Sequence, residues 1–273
     1  MIAHLINTDV GNRGIKRLYL EYRRRNFSFL EDSARAFMSN IDRTLIITGF
    51  PVPPIMVPET DGPPGAVALA KAVESLGGKA EILTYPEIRE ALEGLSFSFV
   101  RKPRVSKYSL VVAIETPGMS ADGGHYSMSG AEITRETFDG VVVEAKERGI
   151  PTIGIGDGGN EVGMGNVRDL VERYIPMGKR IGSVVVVDHL ITAGVSNWGA
   201  YGLIAEASLL RGENLLGSFN EVEIVEALVG AGLVDGVTKR AEKSVDGINI
   251  KVHEKMLNLL KAMVEKVGET KKT

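Results

Sequence analysis

Five short and almost entirely apolar runs, separated by helix-like stretches, limit the folds open to this chain more than any other feature. The runs are TLIITGF (44–50), KAEILTY (79–85), SLVVAIE (109–115), PTIGIGD (151–157) and SVVVVD (183–188). Strands buried on both faces of a parallel sheet have continuous apolar sequence, whereas strands with one solvated face alternate. The runs therefore predict a mostly parallel sheet in an α/β fold.

Helical patterns between these runs predict a doubly wound arrangement, with helices on both faces of the sheet. Segment 65–77 has apolar residues three and four positions apart and ends at a Gly pair. Similar patterns at 85–95 and 133–149 predict the next two crossover helices. We expect a single domain, 1–273, with a helical N-terminal flank (1–40), an α/β core (41–200) and a helical C-terminal part (201–273) that ends in a frayed tail at 269–273.

The composition excludes several classes of site and partner. The 273 residues include no cysteine and only four histidines, which excludes disulfides, thiolate metal sites and cysteine nucleophiles. With 35 acidic and 32 basic residues, the chain shows no sign of a nucleic-acid or membrane surface. The N-terminus does not resemble a signal peptide and no apolar run would span a bilayer. We expect a cytoplasmic protein with a small-molecule substrate, and homo-oligomer formation stays open.

Acidic residues follow three of the predicted strands. Glu115 and Asp157 end their runs directly, and a long loop after the first run carries Glu59 and Asp61. Ligands of open parallel sheets bind beyond the carboxyl ends of the strands, so these acids are expected to meet in one cleft. A carboxylate directly precedes glycine at Asp61, Asp122 and Asp157, and glycine lets the backbone approach a ligand closely.

Carboxylates that converge in this way repel one another unless a cation lies among them. Oxygen ligands favour hard ions, so we expect Mn²⁺ or Mg²⁺, with more than one ion left open. The predicted ligands are Glu59, Asp61, Glu115, Asp122, Asp157, Asn160 and Glu161. Asp188 ends the fifth run, but an aspartate before histidine at a strand end is more readily explained as a cap.

The glycine-rich loop GIGDGGNEVGMG (154–165) contains the pattern G-x-G-x-x-G of dinucleotide-binding loops. Such a loop needs its helix to begin within the motif, whereas helical sequence resumes here only at 166–174. Asp157 and Glu161 would also repel a pyrophosphate. We therefore interpret the segment as a metal-binding loop and do not expect an NAD cofactor.

Four motifs closely resemble those of the C-terminal domain of the D-glutamate cyclase-like proteins. The motifs are TDVGNRGI (8–15), ETDGPPGA (59–66), AIETPGMSADGGHYSMSGAEI (113–133) and GIGDGGNEVGMGNV (154–167). The similarity extends over most of the chain, from about residue 5 to residue 230. The resemblance implies this domain and its metal-binding cleft.

Our first functional hypothesis is a Mn²⁺- or Mg²⁺-dependent hydrolase of small phosphate esters, that is, a phosphatase. Its catalytic residues would be Asp157, His125 and Arg13. Ions held by carboxylates stabilise the charge of an in-line displacement and activate a water molecule. Arg13, Lys16 and the amides of the glycine loop would hold the phosphate, and His125 or a metal-bound hydroxide would act as the general base.

Two other functions stay open at this point. One is a cyclase or lyase acting on D-glutamate or a similar small dicarboxylate. In that reaction a metal would bind the α-carboxylate while another group assists the loss of water from the γ-carboxyl. The other is a metal-binding domain without catalytic activity.

Overall fold

The computed structural model describes residues 1–95 and 97–270, and parallel strands form its centre. The strands are β1 (Arg43–Thr48), β2 (Pro51–Val52), β3 (Val57–Pro58), β4 (Lys79–Leu83), β5 (Phe99–Val100), β6 (Leu110–Ile114), β7 (Thr152–Gly156), β8 (His189–Thr192), β9 (Ser244–Val245) and β10 (Ile248–Asn249). Six of them form one parallel sheet in the order β5-β4-β1-β6-β7-β8. The short strands form two antiparallel pairs, β2 with β3 and β9 with β10.

Helices surround this sheet in the described part of the chain. They are α1 (Ile2–Ile6), α2 (Ile15–Arg25), α3 (Phe29–Ser39), α4 (Pro63–Ser75), α5 (Pro86–Leu92), α6 (Asp139–Glu147), α7 (Arg168–Tyr174), α8 (Gly178–Ile181), α9 (Ser196–Arg211), α10 (Glu221–Gly230) and α11 (Ile250–Thr270). Among the described residues, no helix has both the length and the apolar character needed to cross a membrane.

The order of the strands confirms the doubly wound α/β fold. The chain runs from β1 outward through β4 to β5, then returns to β6 on the other side of β1 and continues to β7 and β8. Right-handed crossovers made in opposite directions place α4 and α6 on opposite faces of the sheet. The direction reverses between β1 and β6, and the crevice beyond their carboxyl ends is where such folds bind ligands. Every residue of β6 and β7 is buried, as their continuous apolar sequences predict.

Helices α4 and α9 begin side by side at the carboxyl edge of the sheet and cap each other. Asn197 Oδ1 accepts hydrogen bonds from the backbone N–H groups of Gly62 (3.1 Å) and Gly65 (2.9 Å). Asp61 accepts in turn from the N–H groups of Ser196 and Asn197, both at 2.9 Å. These bonds satisfy N–H groups that a helix cannot pair internally. They also hold Asp61 at the carboxyl edge.

Replacing Asn197 by alanine is expected to destabilise the protein by roughly 1–3 kcal/mol, because the buried N–H group of Gly65 loses its acceptor. The N–H group of Gly62 keeps a second acceptor, Asp61 Oδ1, at 2.9 Å. Urea unfolding measures this change. Asn214→Ala is the matched control, since Asn214 Oδ1 also accepts from two N–H groups but lies near the surface. Equal losses in both variants would contradict the role given to Asn197.

The fifth predicted strand is wrong. Residues 183–188 form no strand, and β8 begins at His189. The apolar run instead covers the loops at the carboxyl edge, where Val184 N–H donates to Met119 and Val185 C=O accepts from Gly163 and Gly165. Val185 and Val187 are buried (4% exposed each), whereas Val186 is 42% exposed, so the continuous apolar sequence does not reflect burial on both sides of the segment.

Asp188 consequently lies at the amino end of β8 and far from the predicted cleft. Its carboxylate accepts from the Thr152 N–H (3.0 Å) and hydroxyl (2.8 Å) and pairs with Lys146. Asp188 therefore caps backbone at the amino ends of β7 and β8, as its sequence context favours.

The C-terminal part also departs from the prediction, because it contains the β9–β10 hairpin. Helix α11 extends to Thr270, and residues 271–273 of the predicted frayed tail lie outside the described residues.

Candidate functional site

Six carboxylates lie buried together around the Arg13 guanidinium at the carboxyl edge of the sheet. This acidic cluster comprises Glu59, Asp61, Glu115, Asp157, Glu161 and Asp246, none more than 7% exposed. Loops that follow β1, β6 and β7 supply five of the six, and these five are residues that the sequence selects as ligands. The cluster forms because a parallel sheet brings the carboxyl ends of distant strands to one edge.

Within the cluster, carboxylate oxygens form two groups whose members all lie within 4.8 Å of one another. One group is Asp61, Asp157 and Asp246, and the other is Glu115, Asp157 and Glu161. Asp157 belongs to both groups. Its Oδ2 atom is buried and has no hydrogen-bond partner among the described residues, and the same holds for Oδ1 of the neighbouring Asn160. Buried oxygens without partners are costly, so both atoms have lone pairs available for a cation.

Arg13 bridges the two sides of the cluster. Its two terminal nitrogens each lie 2.5 Å from a carboxylate oxygen, one of Asp157 and the other of Asp246. Burial opposes the positive charge, but the surrounding carboxylates outweigh it and raise the pKa of Arg13 well above its ordinary value. Asp9 positions this residue by accepting from the Arg13 N–H at 2.8 Å.

One guanidinium cannot neutralise six carboxylates, and the pKa values express this imbalance. The pKa values of Glu59 and Glu115 are raised well above their ordinary range. Burial is the larger cause, and repulsion between neighbouring carboxylates is the second. Burial likewise raises the pKa of Asp157, although Arg13 opposes the shift. Burial raises the pKa of Asp61 to about 8 despite its hydrogen bonds to the helix α9 amides. Protons or bound cations must therefore supply the missing positive charge.

The glycine loop turns its N–H groups toward Glu161. The carboxylate of Glu161 accepts from the N–H groups of Asp157 (3.2 Å), Gly158 (2.6 Å) and Gly159 (2.7 Å). Gly159 has a φ of 108°, a left-handed conformation that residues with a Cβ avoid. Since its donors are already used, the loop does not offer a phosphate cradle. It suits neither a dinucleotide nor the phosphate ester of the hydrolase hypothesis.

A cavity of about 400 Å³ opens above the acidic cluster. Four residues of the cluster line it, together with Arg13 and Asn160. Residues 50–53 form an apolar wall, and the loops at 127–129 and 236–239 complete the lining. The cavity is thus large enough for a small metabolite and presents charged groups at its base.

The sequence of this chain matches a known protein family over almost its whole length. Residues 2–261 match the family described as "D-glutamate cyclase-like, C-terminal". The chain is a member of that family. This confirms the resemblance of the four sequence motifs.

Among similar proteins, the human mitochondrial D-glutamate cyclase is 33% identical over 246 residues. The match covers 77% of this chain and 38% of the human protein, so the chain spans about two fifths of that relative. The name of the human enzyme places that protein in mitochondria, and the cytoplasmic location expected for this chain stays a prediction.

Solved structures give more distant matches. The crystal structure of exonuclease RecJ bound to manganese has a TM-score of 0.37 at 12% identity, covering 89% of this chain and 66% of that one. RecJ from Thermus thermophilus in complex with Mn²⁺ has a TM-score of 0.38 at 12% identity, covering 89% and 38%. Likeness at this level supports no conclusion about function.

In this D-glutamate cyclase-like chain, three of the predicted site residues lie away from the cluster. Asp122 is exposed and accepts hydrogen bonds from Gly124 N–H (3.0 Å) and the Tyr126 hydroxyl (2.8 Å). His125 Nε2 lies 2.9 Å from Asp139 Oδ2, and Lys16 is exposed on α2. None of the three lines the cavity. The loop that carries Asp122 and His125 folds back on itself, which a sequence motif does not reveal.

Asp246 is the one carboxylate of the cluster that the sequence analysis does not select. It follows β9, has a φ of 55° and precedes Gly247. A carboxylate before glycine is the same signal that singles out Asp61 and Asp157. The signal is overlooked because the surrounding region is interpreted as helical.

Proposed function

We propose that this chain cyclises D-glutamate, or a closely similar amino dicarboxylate, in the cavity above the acidic cluster. The amine nitrogen bonds to the carbon of the side-chain carboxyl, and one oxygen of that carboxyl leaves. Two protons lost by the ammonium depart with this oxygen as water, and 5-oxo-D-proline remains. The reaction needs no oxidant or reductant.

One observation carries the proposal: a cavity of metabolite size is lined by four buried carboxylates and by Asn160, whose buried Oδ1 atom has no hydrogen-bond partner among the described residues. Pockets of this kind, with a few convergent polar groups and perturbed pKa values, are typical of active sites. Membership of the D-glutamate cyclase-like family supports cyclisation as the chemistry.

The proposal includes a divalent cation, Mn²⁺ or Mg²⁺, at the floor of the cavity. Glu115, Asp157 and Glu161 would hold it, with Asn160 Oδ1 as a further oxygen ligand. The donor set fits, because it is made only of oxygen and includes two buried atoms that have no other partner. When bound, the ion supplies positive charge that polarises a substrate carboxyl oxygen. The second group shares Asp157, so the number of ions stays a prediction.

Neighbouring groups hold these carboxylates in position before substrate arrives. Arg13 ties Asp157 to Asp246. The Ser196 hydroxyl donates to Glu115 Oε2 at 2.6 Å and so orients Glu115. Side chains fixed in this way do not have to reorganise during the reaction, which is how preorganised polar groups stabilise a transition state.

The phosphate-ester hydrolase has no comparable support. Both terminal nitrogens of Arg13 are paired with carboxylates, and the loop amides donate to Glu161. A phosphate would therefore face negative charge with few free donors. The similar proteins point to cyclase chemistry.

Incubation of the purified chain with D-glutamate and Mn²⁺, followed by proton NMR, tests the proposed function. We expect 5-oxo-D-proline to accumulate and EDTA to stop its formation. L-glutamate and a panel of phosphomonoesters serve as comparison substrates. Phosphate release without cyclisation would restore the hydrolase, and no turnover of any substrate would leave a metal-binding domain.

A further inference from the structure

Two charged groups that line the cavity have no partner within the described residues. The Glu59 carboxylate is buried, with 7% of the residue exposed, yet no described residue donates a hydrogen bond to it. It also lies outside both groups of carboxylates that could hold an ion. Lys239 is an exposed residue at the rim of the same cavity, and it forms no ion pair with any residue in 1–95 or 97–270.

A tight turn at 235–239 carries Lys239 and lies against Glu59. A Cβ atom at Gly236 would overlap the Glu59 carboxylate, so the turn lies directly against Glu59. Lys239 N–H donates to the Asp235 carbonyl at 2.8 Å, which closes the turn. The buried Asp235 carboxylate accepts from two further N–H groups of the turn, both at 2.8 Å.

Lys239 has a φ of 58°, in the left-handed region. Glycine and asparagine adopt this conformation readily, whereas a lysine there is strained. Such strain persists only where the surrounding structure imposes it, and it is concentrated at functional sites.

We propose that Glu59 and Lys239 bind the α-ammonium and the α-carboxylate of the substrate. An α-amino acid carries these opposite charges on one carbon, and a carboxylate and an ammonium that line one cavity complement the pair. The side-chain carboxyl then extends toward Asn160 and the ion proposed at the floor. This pose rests on the proposed function, and it places the α-carboxylate on Lys239 instead of on the ion expected from sequence.

Binding of two ligands, measured by calorimetry, separates this recognition from turnover. D-glutamate carries the α-carboxylate, and 4-aminobutyrate is the same molecule without it. Lys239→Asn removes the charge but suits the left-handed backbone, whereas Lys239→Arg keeps the charge. We expect Lys239→Asn to weaken D-glutamate binding by about 10- to 100-fold, the loss typical of one charge-assisted hydrogen bond, and to leave 4-aminobutyrate binding unchanged.

Lys243→Asn is the matched control, because Lys243 is exposed and paired with Glu226 away from the cavity. In the enzymatic assay, Lys239→Asn should raise KM by a similar factor with little change in kcat. Equal weakening of both ligands, or of neither, would overturn the proposed role of Lys239. Because calorimetry needs no turnover, failure of the cyclase assay would leave this test intact.

Glu59→Gln tests the other half of the pair. Glutamine keeps the size of the side chain and removes the charge that faces the ammonium. We expect D-glutamate and 4-aminobutyrate, which both carry an ammonium, to bind about 10- to 100-fold more weakly. Glutarate, which has no ammonium, should bind no more weakly than to the unaltered chain. Unchanged binding of both amines would overturn the role of Glu59.

Discussion

Replacing Asp157 by asparagine is expected to lower the rate of 5-oxo-D-proline formation by at least about a thousandfold, with a parallel loss of Mn²⁺ affinity. Asp157 is the one carboxylate common to both groups that could hold an ion. A bound metal contributes several kcal/mol of charge stabilisation, and each 1.36 kcal/mol corresponds to a tenfold change in rate. Asparagine keeps the shape of the side chain and removes its charge, so the loss reports on electrostatics.

The same variant is expected to stay folded. Burial and neighbouring carboxylates raise the pKa of Asp157, so its charge is unfavourable in the metal-free protein. Its removal should leave the metal-free Tm unchanged or higher, while Arg13 keeps its contact with Asp246. Asp169→Asn is the control, because Asp169 is exposed and paired with Arg25. Near-normal turnover and Mn²⁺ affinity in Asp157→Asn would remove Asp157 from the site.

At alkaline pH, ionisation of the buried Glu221 is expected to lower the free energy of unfolding of the unaltered protein. Replacing Glu221 by glutamine is expected to remove this loss. Glu221 is 1% exposed, and in the part of the chain that the structure describes neither of its carboxylate oxygens has a hydrogen-bond partner of good geometry. Burial raises its pKa to about 8, and the nearby Tyr201 hydroxyl offsets only part of this shift. His253 Nδ1 lies 3.9 Å away but accepts from Trp198, so the ring is neutral and forms no ion pair.

The direction of the pH effect follows from the raised pKa. Between the ordinary value of 4.5 and about 8, the folded protein binds a proton that the unfolded chain releases. The contribution of Glu221 is therefore complete below the lower value and is lost as the pH rises through the higher one. Glutamine does not titrate. The stability advantage of Glu221→Gln should grow by roughly 2–3 kcal/mol between pH 6 and pH 9.

Urea unfolding at the two pH values, without metal, measures this difference. The acidic cluster titrates in both proteins, so comparing the variant with the unaltered chain isolates Glu221. Glu226→Gln, on the same helix but exposed and paired with Lys243, should show no such growth. A constant difference between Glu221→Gln and the unaltered chain would show that Glu221 is ionised throughout this range.

The parallel sheet was accessible from sequence because strands such as β6 are buried on both faces and leave a continuous apolar pattern. The run at 183–188 shows the limit of that signal. This segment buries Val185 and Val187 against loops, exposes Val186, and pairs with no strand of the sheet, yet its sequence is as apolar as that of a central strand. Composition and periodicity do not determine pairing.

Most of the acidic cluster was also accessible, because strand ends such as Glu115 and Asp157 converge in any parallel sheet. Asp246 comes from a hairpin near the end of the chain, and its position depends on tertiary contacts with Arg13. His125 shows the opposite error. It lies in the right motif, but local hydrogen bonds turn it toward Asp139 and away from the cavity.

The most direct test of the central claim is the position of a bound ion. Crystals of the chain soaked in MnCl₂ can be examined by anomalous scattering at the manganese edge. We predict an anomalous peak at the floor of the cavity, in contact with Asp157 and Asn160, that is lost in Asp157→Asn crystals. No peak at this position under saturating Mn²⁺, or one that persists in the variant, would contradict it.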